Sequence, residues 1–140
     1  MNKFQKLAES VRQLDKDVVL AAASLCDGHG IFDPQALLDL GVPADVVEHN
    51  TTTYESDGSP KGSISNSRGD LLATCRGVYG LHFLEYLAGC FSLRYQRAFG
   101  RGTQARRIQE ALFEHFEVNA SEWYKARKEQ ESKRTRSLKA

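Results

Sequence analysis

The apolar positions of this chain fall into two periodicities. Over residues 2–14, Phe4, Leu7, Val11 and Leu14 recur at spacings of three and four, with Lys3, Lys6, Glu9 and Arg12 between them. That pattern predicts a short amphipathic helix. Asp15 or Asp17 stands where it can cap a second helix through Val18, Val19, Leu20, Ala21, Ala22, Ala23 and Leu25, because a carboxylate oxygen accepts one of the free amides of a first turn. This second helix is apolar almost all round, which predicts burial. Asp27-Gly28-His29-Gly30 ends it, glycine taking the left-handed cap conformation readily. Asp33-Pro34 then restarts a helix over Gln35 to Leu40, which stops at Gly41, and Pro43 to Glu48 predicts one further turn. Proline loses no hydrogen bond at a first helical position. The two short helices resemble a helix-turn-helix in outline. The second offers Asp45 and Glu48, however, where a reader of base edges needs Arg, Asn or Gln.

From His49 the period changes to two. Thr51, Thr52, Thr53 and Tyr54 are strand formers, Ser63-Ile64-Ser65 is a short second strand, and Leu71 to Cys75 is a third. Asp57 to Gly62 and Asn66 to Gly69 are turns rich in Gly, Asp, Asn and Ser. The expectation is a three-stranded antiparallel meander. Gly77 and Gly80 then bracket the start of the strongest helix, with Leu81, Leu84, Leu87, Ala88 and Phe91 as its apolar stripe and Tyr79, Phe83 and Tyr86 adding aromatic area. A last core helix runs from about Gln104 to Phe116, capped by Thr103, with Ile108, Leu112 and Phe116 four apart. Trp123 and Tyr124 are placed to dock back onto the body. The fold class is therefore α+β: short N-terminal helices, the meander, and two C-terminal helices packed on it. Residues 1–118 form a single domain in this reading, and residues 119–140 a basic C-terminal extension, helical or disordered.

At 140 residues with 41% hydrophobic and 26% charged positions, the chain has the composition of one globular domain. It contains no apolar run of membrane-spanning length. The three cysteines, Cys26, Cys75 and Cys90, form no CxxC pair, so a disulfide framework is not expected and a reducing cytoplasm is the simplest compartment. Cys26 and His29, with His49 and Cys75, give a weak zinc pattern; buried cysteine is the better reading for Cys75 and Cys90, and no metal or cofactor is assigned.

The net charge of +1 conceals a polarity. Residues 1–90 carry 7 Lys/Arg against 12 Asp/Glu, a net of −5, and residues 91–140 carry 12 against 6, a net of +6. Between Glu85 and Glu110 there is no acid, while Arg94, Arg97, Arg101, Arg106 and Arg107 all occur. Arginine grips phosphate or carboxylate with a planar fork.

Within this window, Gly100-Arg101-Gly102-Thr103-Gln104-Ala105-Arg106-Arg107 runs from a flexible turn into a helix start. Unpaired first-turn amides and the helix dipole favour an anion there. The expected ligand-binding residues are Arg97, Gly100, Arg101, Gly102, Thr103, Arg106 and Arg107. The spacing is neither a Walker loop nor a dinucleotide fingerprint. The four histidines are scattered, no nucleophile elbow frames a serine, and no catalytic residue is assigned.

The leading expectation is a small cytoplasmic, non-enzymatic binding protein for a phosphate-bearing ligand, either nucleic acid or a nucleotide. An alternative is a protein-interaction or inhibitor module, of the kind a phage or plasmid carries, whose acidic and basic halves face complementary surfaces of a partner or of a second copy in a homo-oligomer. A third is a small hydrolase or transferase.

Overall fold

The computed structural model describes residues 2–26, 30–54, 75–93 and 103–139. Its elements in chain order are α1 (Lys3–Arg12), α2 (Lys16–Leu25), β1 (Ile31–Phe32), α3 (Pro34–Leu40), α4 (Ala44–Asn50), β2 (Thr51–Tyr54), β3 (Cys75–Tyr79), α5 (Gly80–Cys90), α6 (Thr103–His115) and α7 (Ala120–Lys139).

Side-chain caps set the starts of α1, α2 and α3. Asn2 accepts from the Gln5 amide and Gln5 returns the bond to Asn2, a full capping box on α1. Asp15 rather than Asp17 caps α2, accepting from the Asp17 amide at 3.1 Å. Asp33 accepts from Gln35 N at 3.0 Å, with Pro34 at the first position of α3.

Three helices end by one device, in which an amide reaches back five residues over a left-handed bend. The bonds are Val42 N to Leu37 O after α3, Leu93 N to Ala88 O after α5 and Val118 N to Phe113 O after α6. The bend residues are Gly41, Ser92 and Glu117, with φ of 104°, 57° and 54°. Glycine adopts this conformation freely, whereas Ser92 and Glu117 hold a Cβ against it.

The fold is α+β, with a three-stranded antiparallel sheet as the alternating segments predict. Among the described residues, Thr51–Tyr54 is a strand as expected, and the sheet's strand order is not that of a meander. The order of the described strands is β1-β3-β2, so the last of them in sequence is the central one. Thr51 pairs with Val78 and Thr53 with Arg76 on one side of β3, and Ile31 pairs with Tyr79 and Phe32 with Val78 on the other. The alternation ends a strand at Cys75; the structure begins β3 there.

Gly77 reads as a breaker in the sequence but lies mid-strand. A Cβ at Gly77 would collide with the Cγ2 methyl of Ile31, so the residue is glycine because β1 crosses close to it. Strand β1 is two residues long, too short to show a period. The expected strand Ser63–Ser65, residues Leu71–Thr74 of the third, and the turns Asp57–Gly62, Asn66–Gly69 and Asp27–His29 lie outside the described residues.

Strand β3 passes into α5 without a loop. The amide of Gly80, the first residue of α5, still donates to the Gly30 carbonyl at 3.0 Å. Helix α5 then buries Phe83, Leu84, Leu87 and Ala88 against α1, α2, α6 and the sheet. The core around it includes Val11, Leu20, Ala22, Val46, Val78, Ile108 and Leu112, and among the described residues no polar or charged residue is fully buried. Three consecutive alanines, Ala21 to Ala23, let α2 approach both α5 and α6 closely.

Two substitutions check these backbone arguments. Gly77→Ala displaces Ile31 and is expected to lower unfolding free energy by roughly 1–3 kcal/mol. Ser92→Gly relieves the left-handed bend and is expected to raise it by about 0.5–1 kcal/mol. Urea unfolding followed by circular dichroism measures both.

Candidate anion site

The expected site straddles the start of α6. The helix begins at Thr103, one residue earlier than predicted, so Thr103 belongs to its first turn rather than preceding it. Arg97, Gly100, Arg101 and Gly102 lie outside the described residues. Arg106 and Arg107 lie within them. Ala105 and Ile108 are buried, which fixes the rotation of α6 and turns the two intervening arginines outward. Both are exposed. The first turn of α6 contains no acid, and among the described residues neither arginine has an ion-pair partner.

A second group of cations stands on α7. This helix continues without a break to Lys139. Its first turns are fastened to the body. Trp123 packs edge-on against Phe113 with centroids 5.6 Å apart, and its indole N–H donates to Asp17 Oδ1 at 3.2 Å. The Arg127 guanidinium covers the other part of the indole, 5.5 Å from the ring centroid, and its Nε lies 3.7 Å from Glu131. Beyond this anchor, Lys125, Lys128 and Lys133 are exposed.

Three of the four histidines lie within the described residues, each against aromatic rings. His49 touches the rings of Phe4 and Tyr86, and His115 those of Phe91 and Phe116. His82 packs edge-on to Tyr79 and is exposed. No group of three or more His, Cys, Asp or Glu among the described residues is arranged to hold a metal.

Cys90 sits beside Tyr86. Burial raises its thiol above the usual value, an effect that the Tyr86 hydroxyl and the Arg12 guanidinium only partly oppose. An activated thiol nucleophile needs the opposite shift. Tyr86 is itself displaced upward, by burial first and by Cys90 second. Its hydroxyl is sealed from solvent without a hydrogen bond of acceptable geometry. Sequence reading gave no sign of this pair beyond their i, i+4 spacing, which is equally the spacing of a core stripe.

No family model, no curated protein and no solved structure matches this chain. Among the described residues no helix is long and apolar enough to cross a membrane.

The Tyr86–Cys90 pair generates a pH prediction. Both groups are held neutral in the folded protein, so their contribution is complete below their ordinary values of 9.0 and 10.0. It is lost as pH rises past those values, because the unfolded chain then releases protons that the folded one retains. Tyr86→Phe is expected to flatten the loss of stability between neutral and alkaline pH. Because it also removes a sealed, unpartnered hydroxyl, it is expected to leave stability at neutral pH unchanged or raised. Urea titrations of both proteins on either side of the tyrosine range measure this.

Proposed function

We propose that this chain is a small, non-enzymatic binding protein for a phosphate-bearing ligand, and that the ligand is a nucleic acid. The observation that carries the reading is the condition of Arg106 and Arg107. They are consecutive and exposed, follow a first helix turn free of acids, and have no internal ion pair among the described residues. Arginines retained without a partner at a helix start suit an incoming anion: the fork donates two bonds to one phosphate and the helix end adds partial positive charge. The cations on α7 favour a polymer over a single nucleotide, since one extended polyanion can engage both helices. Binding of this kind is driven by release of condensed counterions and weakens steeply with salt.

A reducing compartment, the cytoplasm, fits Cys26 and Cys90 as buried thiols within the core. Arg97 and Arg101, which precede α6 in sequence, would extend the grip. Thr103 would contribute a hydroxyl, and Gly100 and Gly102 would let the backbone come close to the phosphate.

The test is the joint substitution of Arg106 and Arg107 by alanine. Both side chains are exposed, so the fold should survive with an unchanged melting temperature. Affinity for an oligonucleotide at low salt should fall by about ten- to a hundredfold. The slope of log K against log salt should decrease by about two, close to one for each phosphate no longer neutralised. Fluorescence anisotropy with a labelled oligonucleotide measures both; unchanged affinity and slope would remove the site.

A further inference from the structure

A groove runs between α2, α3 and α7. Its volume is about 670 Å³, within the roughly 300–1,000 Å³ of small-ligand sites. Ala21 and Leu25 of α2 and Ala36 and Leu40 of α3 form its apolar lining, and Tyr124 of α7 forms an aromatic wall.

Tyr124 is held rigidly. Ser24 donates its own proton to the Leu20 carbonyl at 2.8 Å, so in the 3.3 Å approach of the two hydroxyls Tyr124 donates and Ser24 accepts. The rings of Trp123 and Phe113 lie 5.2 and 5.5 Å from the Tyr124 ring and support it. Despite these neighbours Tyr124 is 43% exposed. An aromatic residue fixed on two sides and open on the rest is a preformed stacking surface.

Charge is sorted around this surface. Lys128 lines the groove and also a shallow depression along α7 that it shares with Lys125, Glu129, Ser132 and Lys133. A strip of lysines thus leads away from the aromatic wall. Across the groove, Asp39 of α3 presents a carboxylate, held by the Gln35 side chain at 2.9 Å. Glu131 is matched by Arg127. A phosphate is repelled from the Asp39 wall and attracted to the lysine strip. The amino group of a nucleobase, by contrast, is a donor that a carboxylate accepts.

We infer that the groove binds single-stranded nucleic acid, with an unpaired base stacked on Tyr124 and the backbone lying along Lys125, Lys128 and Lys133. This rests on the nucleic-acid reading above and specifies the form of the polymer. A duplex keeps its bases stacked on each other and cannot offer one to a ring inside a groove. A single strand can, and its phosphates then follow the cationic face. The Asp39 carboxylate orients the strand, bases inward and phosphates outward. It also favours cytosine, which carries an amino group, over thymine, which does not.

The experiment compares wild type, Tyr124→Leu and Tyr124→Phe in binding labelled oligodeoxycytidine, oligodeoxythymidine, a DNA duplex and heparin, with poly-glutamate as a competitor. Tyr124→Phe keeps the ring and loses the hydroxyl bond, as Tyr124→Leu does, so it controls for that loss; melting temperatures report folding. Wild type should bind the single strands more tightly than the duplex, and oligodeoxycytidine more tightly than oligodeoxythymidine. Tyr124→Leu should weaken single-strand binding by about tenfold or more, the size expected when one base no longer stacks on a ring. It should leave duplex and heparin affinities unchanged, and Tyr124→Phe should bind like wild type.

Equal affinity for duplex and single strand, or Tyr124→Leu binding like wild type, overturns the groove assignment while the nucleic-acid reading stands. Failure of wild type to bind any of the polyanions overturns both. Displacement of oligonucleotide by poly-glutamate at equal charge concentration also overturns the assignment, in favour of an acidic protein segment as the occupant.

Discussion

Helix α5 has little free surface, and this constraint organises the molecule. It leaves the central strand directly, with its first amide still bonded to Gly30, so its direction is fixed by the sheet. Its buried residues Phe83, Leu84, Leu87 and Ala88 then need cover on several sides at once. Helices α1, α2 and α6 supply that cover from distant parts of the chain. Burial of this kind is non-directional and scales with area. What gives it a unique geometry here is residue size: the small side chains of α2 admit α5 and α6 closely, and Gly77 admits β1 against β3.

The candidate binding surface follows from the same packing. Buried Ala105 and Ile108 hold α6 in one rotation, and that rotation exposes Arg106 and Arg107. The orientation of α7 is set by a different device. Trp123 alone is buried among its described side chains, and it is fixed by the Phe113 ring on one side and the Asp17 carboxylate at its nitrogen. The same aromatic cluster supports Tyr124. Anchor and stacking surface are therefore one structure, and the cationic side chains lie where the anchor directs them.

Much of the helical layer was legible in the sequence, because α1, α2 and α3 start at capping side chains and α1, α5 and α6 bury an apolar stripe. Asp15, Asp33-Pro34 and Gly41 act as their residue types predict. The sheet was legible only as a class. Gly77 misleads because the reason for it, the approach of Ile31, comes from a segment more than forty residues away in sequence. Strand β1 is silent because two residues have no periodicity. Ser92 and Glu117 occupy left-handed bends that local preference assigns to glycine; the residues after them, Leu93 and Val118, pack on the core and bond back to Ala88 and Phe113. Of the site, the arginine window was readable, but whether Arg106 and Arg107 face outward was not, because that depends on the rotation of α6 set by Ala105 and Ile108. The groove was not, since Ala21, Ala36 and Leu40 look like ordinary core positions, and only the crossing of α7 over α2 and α3 leaves a space between them.

The anchoring of α7 through Trp123 and Tyr124, at its first turns, has a mechanical consequence. From Tyr124 to Lys139 the helix extends about 22 Å at 1.5 Å per residue, so any tilt at its anchored end would be multiplied towards its tip. A tilt of about 10° there carries the far tip through about 4 Å, close to the spacing of successive strands in a sheet. A slight shift of one ring on the body is thereby magnified into a change of reach at the tip.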